Sequence, residues 1–131
     1  MKVGVFARQV AFIFAAALAA VASDAKSPTA FTQLATLDSS DAGANSGFGS
    51  PSAISGDTIV VGNIGDGAAY VFVKPSTGWQ NATQITKLTP SVPARNFGGS
   101  VAMSGRTIVV GASFANSNAG MVFVFVEPAG G

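Results

Sequence analysis

The apolar residues of this chain fall into two textures. Near the start, residues 10–21 (VAFIFAAALAAV) make one uninterrupted apolar run. After it, apolar residues come in short bursts separated by Gly, Pro, Ser, Asn and Asp. Bursts of that length, bounded by turn residues, predict strands rather than helices. One unit is read at residues 52–55, 58–61, 69–73 and 83–88. A second is read at 101–104, 107–110 and 121–126, and an isolated outer strand at 31–37. That makes eight strands in all. Gly56-Asp57 and Gly105-Arg106 predict tight hairpin turns, since glycine takes a positive φ that a Cβ would disfavour. The second strands (TIVV in both units) are β-branched. With the continuous apolar third strands, they predict sheets covered on both faces. Residues 83–88 alternate apolar and polar, which predicts a half-exposed strand.

The units are copies. Residues 48–62 (FGSPSAISGDTIVVG) align without a gap on 97–111 (FGGSVAMSGRTIVVG), at an offset of 49 and with ten of fifteen positions identical. The match resumes after loops of different length, where 67–75 (GAAYVFVKP) pairs with 120–128 (GMVFVFVEP). A third echo links 32–37 (TQLATL) to 83–88 (TQITKL). Four-stranded units that recur every 40–50 residues or so are the signature of propeller blades.

These motifs resemble the FG-GAP repeats, the blade type of integrin α-chain heads and of many exported proteins. The resemblance rests on Phe-Gly, on the Ser-Gly-(Asp/Arg)-Thr-Ile-Val-Val-Gly hairpin, on the Gly-led aromatic strand, and on Gly-Trp followed by Gln-x-x-x-Leu. It spans residues 31–128. It implies an all-β fold of FG-GAP-type β-propeller blades, about two four-stranded antiparallel blades of an incomplete propeller. An outer strand at 31–37, a blade at 48–88 and a partial blade at 97–128 follow from it, with a tail at 129–131. It also implies that Phe48 and Phe97 open the innermost strand of each blade, and that Trp79 packs over a blade end. Some members carry a calcium loop between the second and third strands. Here those loops hold one carboxylate, Asp66, in the first repeat and none in the second (112–120). A hard cation needs several oxygen ligands, so both read as plain turns and no cofactor is expected.

The N-terminal run changes where the protein is expected. Lys2 and Arg8 precede it, and Ala20-Val21-Ala22 followed by Ser23-Asp24 has the form of an A-x-A cleavage site. This is the pattern of a helical secretory signal at 1–22, cleaved after Ala22, with a short linker at 23–30. The run is short for a membrane span, which needs about 20 residues. An uncleaved anchor is the alternative. The expected location is secreted, extracellular or periplasmic. Cleavage would leave five bases (Lys26, Lys74, Lys87, Arg95, Arg106) and six acids (Asp24, Asp38, Asp41, Asp57, Asp66, Glu127), turning the precursor's net +1 into −1. No basic patch is left to recruit nucleic acid. No second run is long enough to span a bilayer.

The chain has no Cys and no His, which excludes disulfides, thiolate nucleophiles, imidazole metal sites and a Ser-His-Asp triad within one chain. No catalytic residue is assigned. Asp38 and Asp41, with Asn45 nearby, and Asp66 are weak cation or sugar candidates, weighed against turn residues that accept backbone N–H groups. Asp57 faces Arg106 in the alignment and reads as an exposed turn residue. Asn81-Ala82-Thr83 fits a glycosylation acceptor. Trp79 is also a candidate sugar platform. The longer loop with Asn116, Ser117 and Asn118 is the expected place for a contact surface.

The functional expectation is a non-enzymatic exported binding or adhesion scaffold with a protein or carbohydrate ligand. The alternative is a fragment of a larger propeller, including a carbohydrate-active or hydrolytic enzyme. Two blades cannot close a ring, so either further blades or self-association is expected to complete it.

Overall fold

The computed structural model describes residues 30–130. The predicted signal, its cleavage point after Ala22, and the linker apart from Ala30 lie outside the described residues. The strands are β1 (Leu37–Asp38), β2 (Ser52–Ser55), β3 (Thr58–Asn63), β4 (Ala68–Val73), β5 (Ala82–Thr83), β6 (Thr86–Leu88), β7 (Phe97–Ser104), β8 (Thr107–Ala112) and β9 (Met121–Val126). They form a four-stranded sheet in the order β2-β3-β4-β6, a three-stranded sheet β7-β8-β9, and a two-stranded pair β1-β5. Both larger sheets are antiparallel, as blades should be, and β1-β5 is parallel.

The hairpins follow from the sequence directly. Ser55 pairs with Thr58 and Ser104 with Thr107, leaving two turn residues each. Gly56 and Gly105 take φ of 56° and 53°, the conformation a two-residue hairpin needs at its first central position.

The two sheets pack through one apolar layer. Val60, Ala69 and Val71 of the first blade meet Phe97, Ile108 and Val110 of the second, with Phe123 and Phe125 packed against them. A second layer lies on the far face of the first blade, where Leu37, Phe48 and Trp79 pack on Val61, Tyr70 and Phe72. The repeated phenylalanine does the same job twice. Phe48 meets Tyr70 and Phe72 edge-on at 5.5 and 6.3 Å, and Phe97 meets Phe123 and Phe125 edge-on at 5.2 and 6.2 Å.

Three expectations need correction. The fourth strand expected at 83–88 is split into β5 and β6. The Gln84 side chain turns to Ser40, accepting its N–H at 3.0 Å and donating to its Oγ at 2.8 Å. The Ile85 N–H then returns to the Val71 carbonyl. The outer strand expected at 31–37 shrinks to Leu37–Asp38, because the Asn81 side chain, not a strand, accepts the Thr36 N–H. Phe97 opens β7 as expected, but Phe48 lies in the turn before β2. Gly49 there has φ 101°, and Pro51 has no N–H to offer a ladder.

Burial also differs between the copies. β4 is buried from Ala68 to Phe72, but β9 alternates. Val122, Val124 and Val126 are 66%, 63% and 64% exposed. The continuous apolar run read as doubly covered is covered on one face only, since among the described residues nothing packs on the other.

Candidate functional site

The loops that enter each blade and those joining second to third strands gather at one end. The Gly65 N–H donates to the Ser46 carbonyl at 2.7 Å, and the Asn96 amide to Ser113 Oγ at 3.3 Å. Ile64 leans toward Gly47 and Gly99. In the second repeat the loop contains one turn, Ala115–Asn118, in which Asn116, Ser117 and Asn118 take φ of 49°, 54° and 69°. Asparagine tolerates this left-handed region better than most residues. The turn presents Phe114 at 49% exposure, with the Arg95 guanidinium 5.9 Å from its ring centre. Ile64 is also exposed, at 41%. An apolar side chain, an aromatic ring and a cation share this rim with the side-chain amides of Asn116 and Asn118. Such a surface can bind, through stacking and hydrogen bonds.

The carboxylates read from the sequence are committed to protein donors. Asp41 accepts from the Tyr70 hydroxyl at 3.0 Å and from Lys87 at 2.7 Å. Asp66 Oδ2 accepts from the Asn63 amide at 2.8 Å and the Gly43 N–H at 3.1 Å. Asn63 is wholly buried and also donates to Ser46 Oγ, while its own carbonyl takes the Asp66 N–H. This side chain fills the middle of the first loop. Asp38 accepts the neighbouring Ser39 N–H, and joins neither cluster. Among the described residues, no three Asp or Glu side chains converge as metal ligands would. Through their bonds to Gly43, Asn63, Tyr70 and Lys87, Asp41 and Asp66 act as latches that tie the 39–47 segment to the first blade.

The Asp41 latch sets a pH dependence. Its bond to Lys87, then that to Tyr70, holds the Asp41 carboxyl below its ordinary range. Burial, then the bond to Asp41, pushes the Tyr70 hydroxyl up, and the bond to Asp41 pushes Lys87 up. A lowered carboxylate stabilises the fold above about pH 4 and loses that contribution as acid protonates it; the raised groups contribute below about pH 10 and lose it as pH climbs. The melting temperature is expected to hold a plateau between about pH 5 and 9 and fall on both sides. Asp41→Asn should flatten the acid limb. Thermal melts across pH check this, and an unchanged acid limb in the variant would refute the latch.

Other predicted residues stand apart. Asp57 pairs with Lys74 at 2.5 Å and Arg106 with Glu127 at 3.8 Å, both at the surface. The alignment had placed Asp57 opposite Arg106. Lys74 and Glu127 are aligned as well, so the repeat carries one ion pair with its charges exchanged. Reading both columns together would have found it. Trp79 is half-buried against the Tyr70 face. Asn81 is exposed, and its carbonyl holds Thr36. Tyr70 and Asn63 had no signal as site residues beyond their difference from Phe123 and Ala112 in the copy, and Lys87 none beyond its difference from Thr36.

No helix among the described residues is long and apolar enough to cross a membrane. A family model described as FG-GAP repeat matches residues 31–72 and 82–125. No match was found among curated proteins or solved structures.

Proposed function

The chain belongs to the FG-GAP repeat family, and we propose that it is an exported, non-enzymatic binding or adhesion scaffold acting at the cell surface or outside the cell. Its propeller-type blades would serve as a rigid base for contact through the loop end. Support for export comes from the apolar run at 10–21 and the A-x-A pattern ending at Ala22. The observation that carries the binding reading is the exposed Phe114 under Arg95. It sits in a loop whose sequence departs from its copy while the strands around it repeat. Aromatic and arginine side chains dominate binding hot spots. A protein or a carbohydrate is the ligand class this rim suits.

The test is a paired screen. A glycan array and a panel of extracellular proteins are probed with the chain and with Phe114→Ala, beside a hydrolase-substrate panel. The expected result is a binder whose affinity falls at least about 10-fold in the variant. Turnover of any substrate, or binding indifferent to Phe114→Ala, would overturn this reading. N-terminal sequencing of the exported form, expected to begin at Ser23, tests the location separately.

A further inference from the structure

The contact between the two blades is a template for a contact left unmade at the far side among the described residues. Three things happen where the blades meet. β6 pairs with the outer edge of β4, with Ala69 opposite Leu88, Tyr70 opposite Lys87 and Val71 opposite Thr86. Gly98 presses its backbone on the carbonyl oxygens of Ala68 and Asn63. The aromatic face of the second blade covers Val60, Ala69 and Val71, which are 0%, 0% and 8% exposed.

Each receiving part recurs on the second blade, with no other strand or blade on it among the described residues. β9 is an edge strand. Val122 and Val124, the counterparts of Ala69 and Val71, are 66% and 63% exposed. Where Gly62, Asn63 and Ala68 receive Gly98, their counterparts Gly111, Ala112 and Met121 line an open notch of about 500 Å³, in which the Ser100 side chain of the same blade lies against Gly111 as the Gly98 carbonyl lies against Gly62. Unpaired edges and contiguous exposed apolar faces are sites of association.

Each docking part recurs at the other end of the same chain. Gly49, the counterpart of Gly98, has φ 101° against 85°, and the space beside it is open. Ile54, the counterpart of the packed Met103, is 62% exposed. Leu37, the counterpart of Leu88, already sits on the Val61–Tyr70 layer as Leu88 sits between the blades. The backbone parity fits too. Thr36 turns its N–H to Asn81 and its carbonyl to the Ala82 N–H. Alternation along an extended chain sends the backbone groups of Ala35 and Leu37 to the opposite edge, free to pair.

We propose that a second copy of this chain docks head to tail. Its residues 35–37 add the missing fourth strand to β9, with Leu37 opposite Val122 and Ala35 opposite Val124. Its Phe48-Gly49 turn enters the notch beside Gly111, Ala112 and Met121, with the Ser100 hydroxyl rotating away from Gly111 to admit it. The interface is heterologous, so successive copies close a ring when the rotation allows. With the two blades described in each copy, a ring of four to eight blades takes about two to four copies. The proposal rests on sheet geometry alone and stands apart from the binding reading of the loop end.

Sedimentation velocity of the full chain over a wide concentration range tests it. The expected species contains two to four copies. Ile54→Arg disables the head and Val124→Arg the tail, and both positions are exposed, so each variant is expected to sediment as a folded monomer. Mixing the two variants restores one intact head and one intact tail. The mixture is expected to form 1:1 dimers and nothing larger, a result that also shows both variants are folded. A wild-type chain that stays monomeric, which would leave a further blade of a longer chain as the occupant of that edge, overturns the proposal. So does an oligomer that survives both substitutions, or a mixture that forms no dimer.

Discussion

Gly98→Ala is expected to push the two blades apart and to cost more than about 4 kcal/mol of stability. Two costs add at this position. Its φ of 85° is one that L-residues adopt only at about 1–3 kcal/mol. A Cβ there would also overlap the Ala68 carbonyl oxygen and crowd Asn63. Those atoms are backbone at the turn between β3 and β4, where Asn63 pairs with Ala68. They cannot retreat without breaking the ladder, so the second blade must move away. Losses above about 4 kcal/mol mark such mechanisms, against total stabilities of about 5–15 kcal/mol for a domain. Gly49→Ala is the control. It meets the same backbone penalty at φ 101°, but nothing lies within reach of its Cβ. Urea titrations of both variants separate conformational strain from the blade contact. Equal losses would show that Gly98 is not a contact point.

This pair also marks what could be read from the sequence. The Phe-Gly repeat and its hairpins were legible, because a two-residue turn and a β-branched strand are local facts. Glycine's reason for being at 98 was not, since it depends on a carbonyl thirty residues away. The split of the outer strand has the same origin. Gln84 reaches Ser40 and Asn81 reaches Thr36, and alternation within 83–88 holds no trace of either. Burial was legible for β4 and misread for β9. Both are continuous apolar runs, and which face is covered depends on what docks there, not on the strand's own residues.

The candidate site shows a similar division. Asp41 and Asp66 were singled out by being acidic in a loop, and they do meet the first blade. Their partners fix their role, and Tyr70 lies 29 positions from Asp41. Tyrosine in an apolar third strand reads as core, and its ring is core; only the hydroxyl at the edge of the layer makes the latch. The loop around Asn116 was legible as variable. The exposed Phe114 and its Arg95 neighbour needed the fold, because the two come from different connections.

Phe97→Ala is expected to cost about 3–5 kcal/mol, the usual range for emptying a buried aromatic site. Phe97 is wholly buried between the blades, and its ring is gripped by Phe123 and Phe125. Phe48 occupies the same position of the repeat and makes the same edge contacts with Tyr70 and Phe72. It is only half-buried, so Phe48→Ala should cost about 1–2 kcal/mol, as for partial loss of a transferred side chain. Denaturant unfolding at low protein concentration measures both. The two residues share a motif and a set of neighbours, so the difference between them isolates the contribution of a blade packed alongside. Similar losses would mean that the 37–48 segment already shields the head of the first blade as well as a blade would. Head-to-tail docking adds a concentration dependence, because binding to the folded state stabilises by mass action. At concentrations where copies associate, Phe48 gains the neighbour that Phe97 always has. The Phe48→Ala penalty should then rise toward that of Phe97→Ala, whose own value stays near constant.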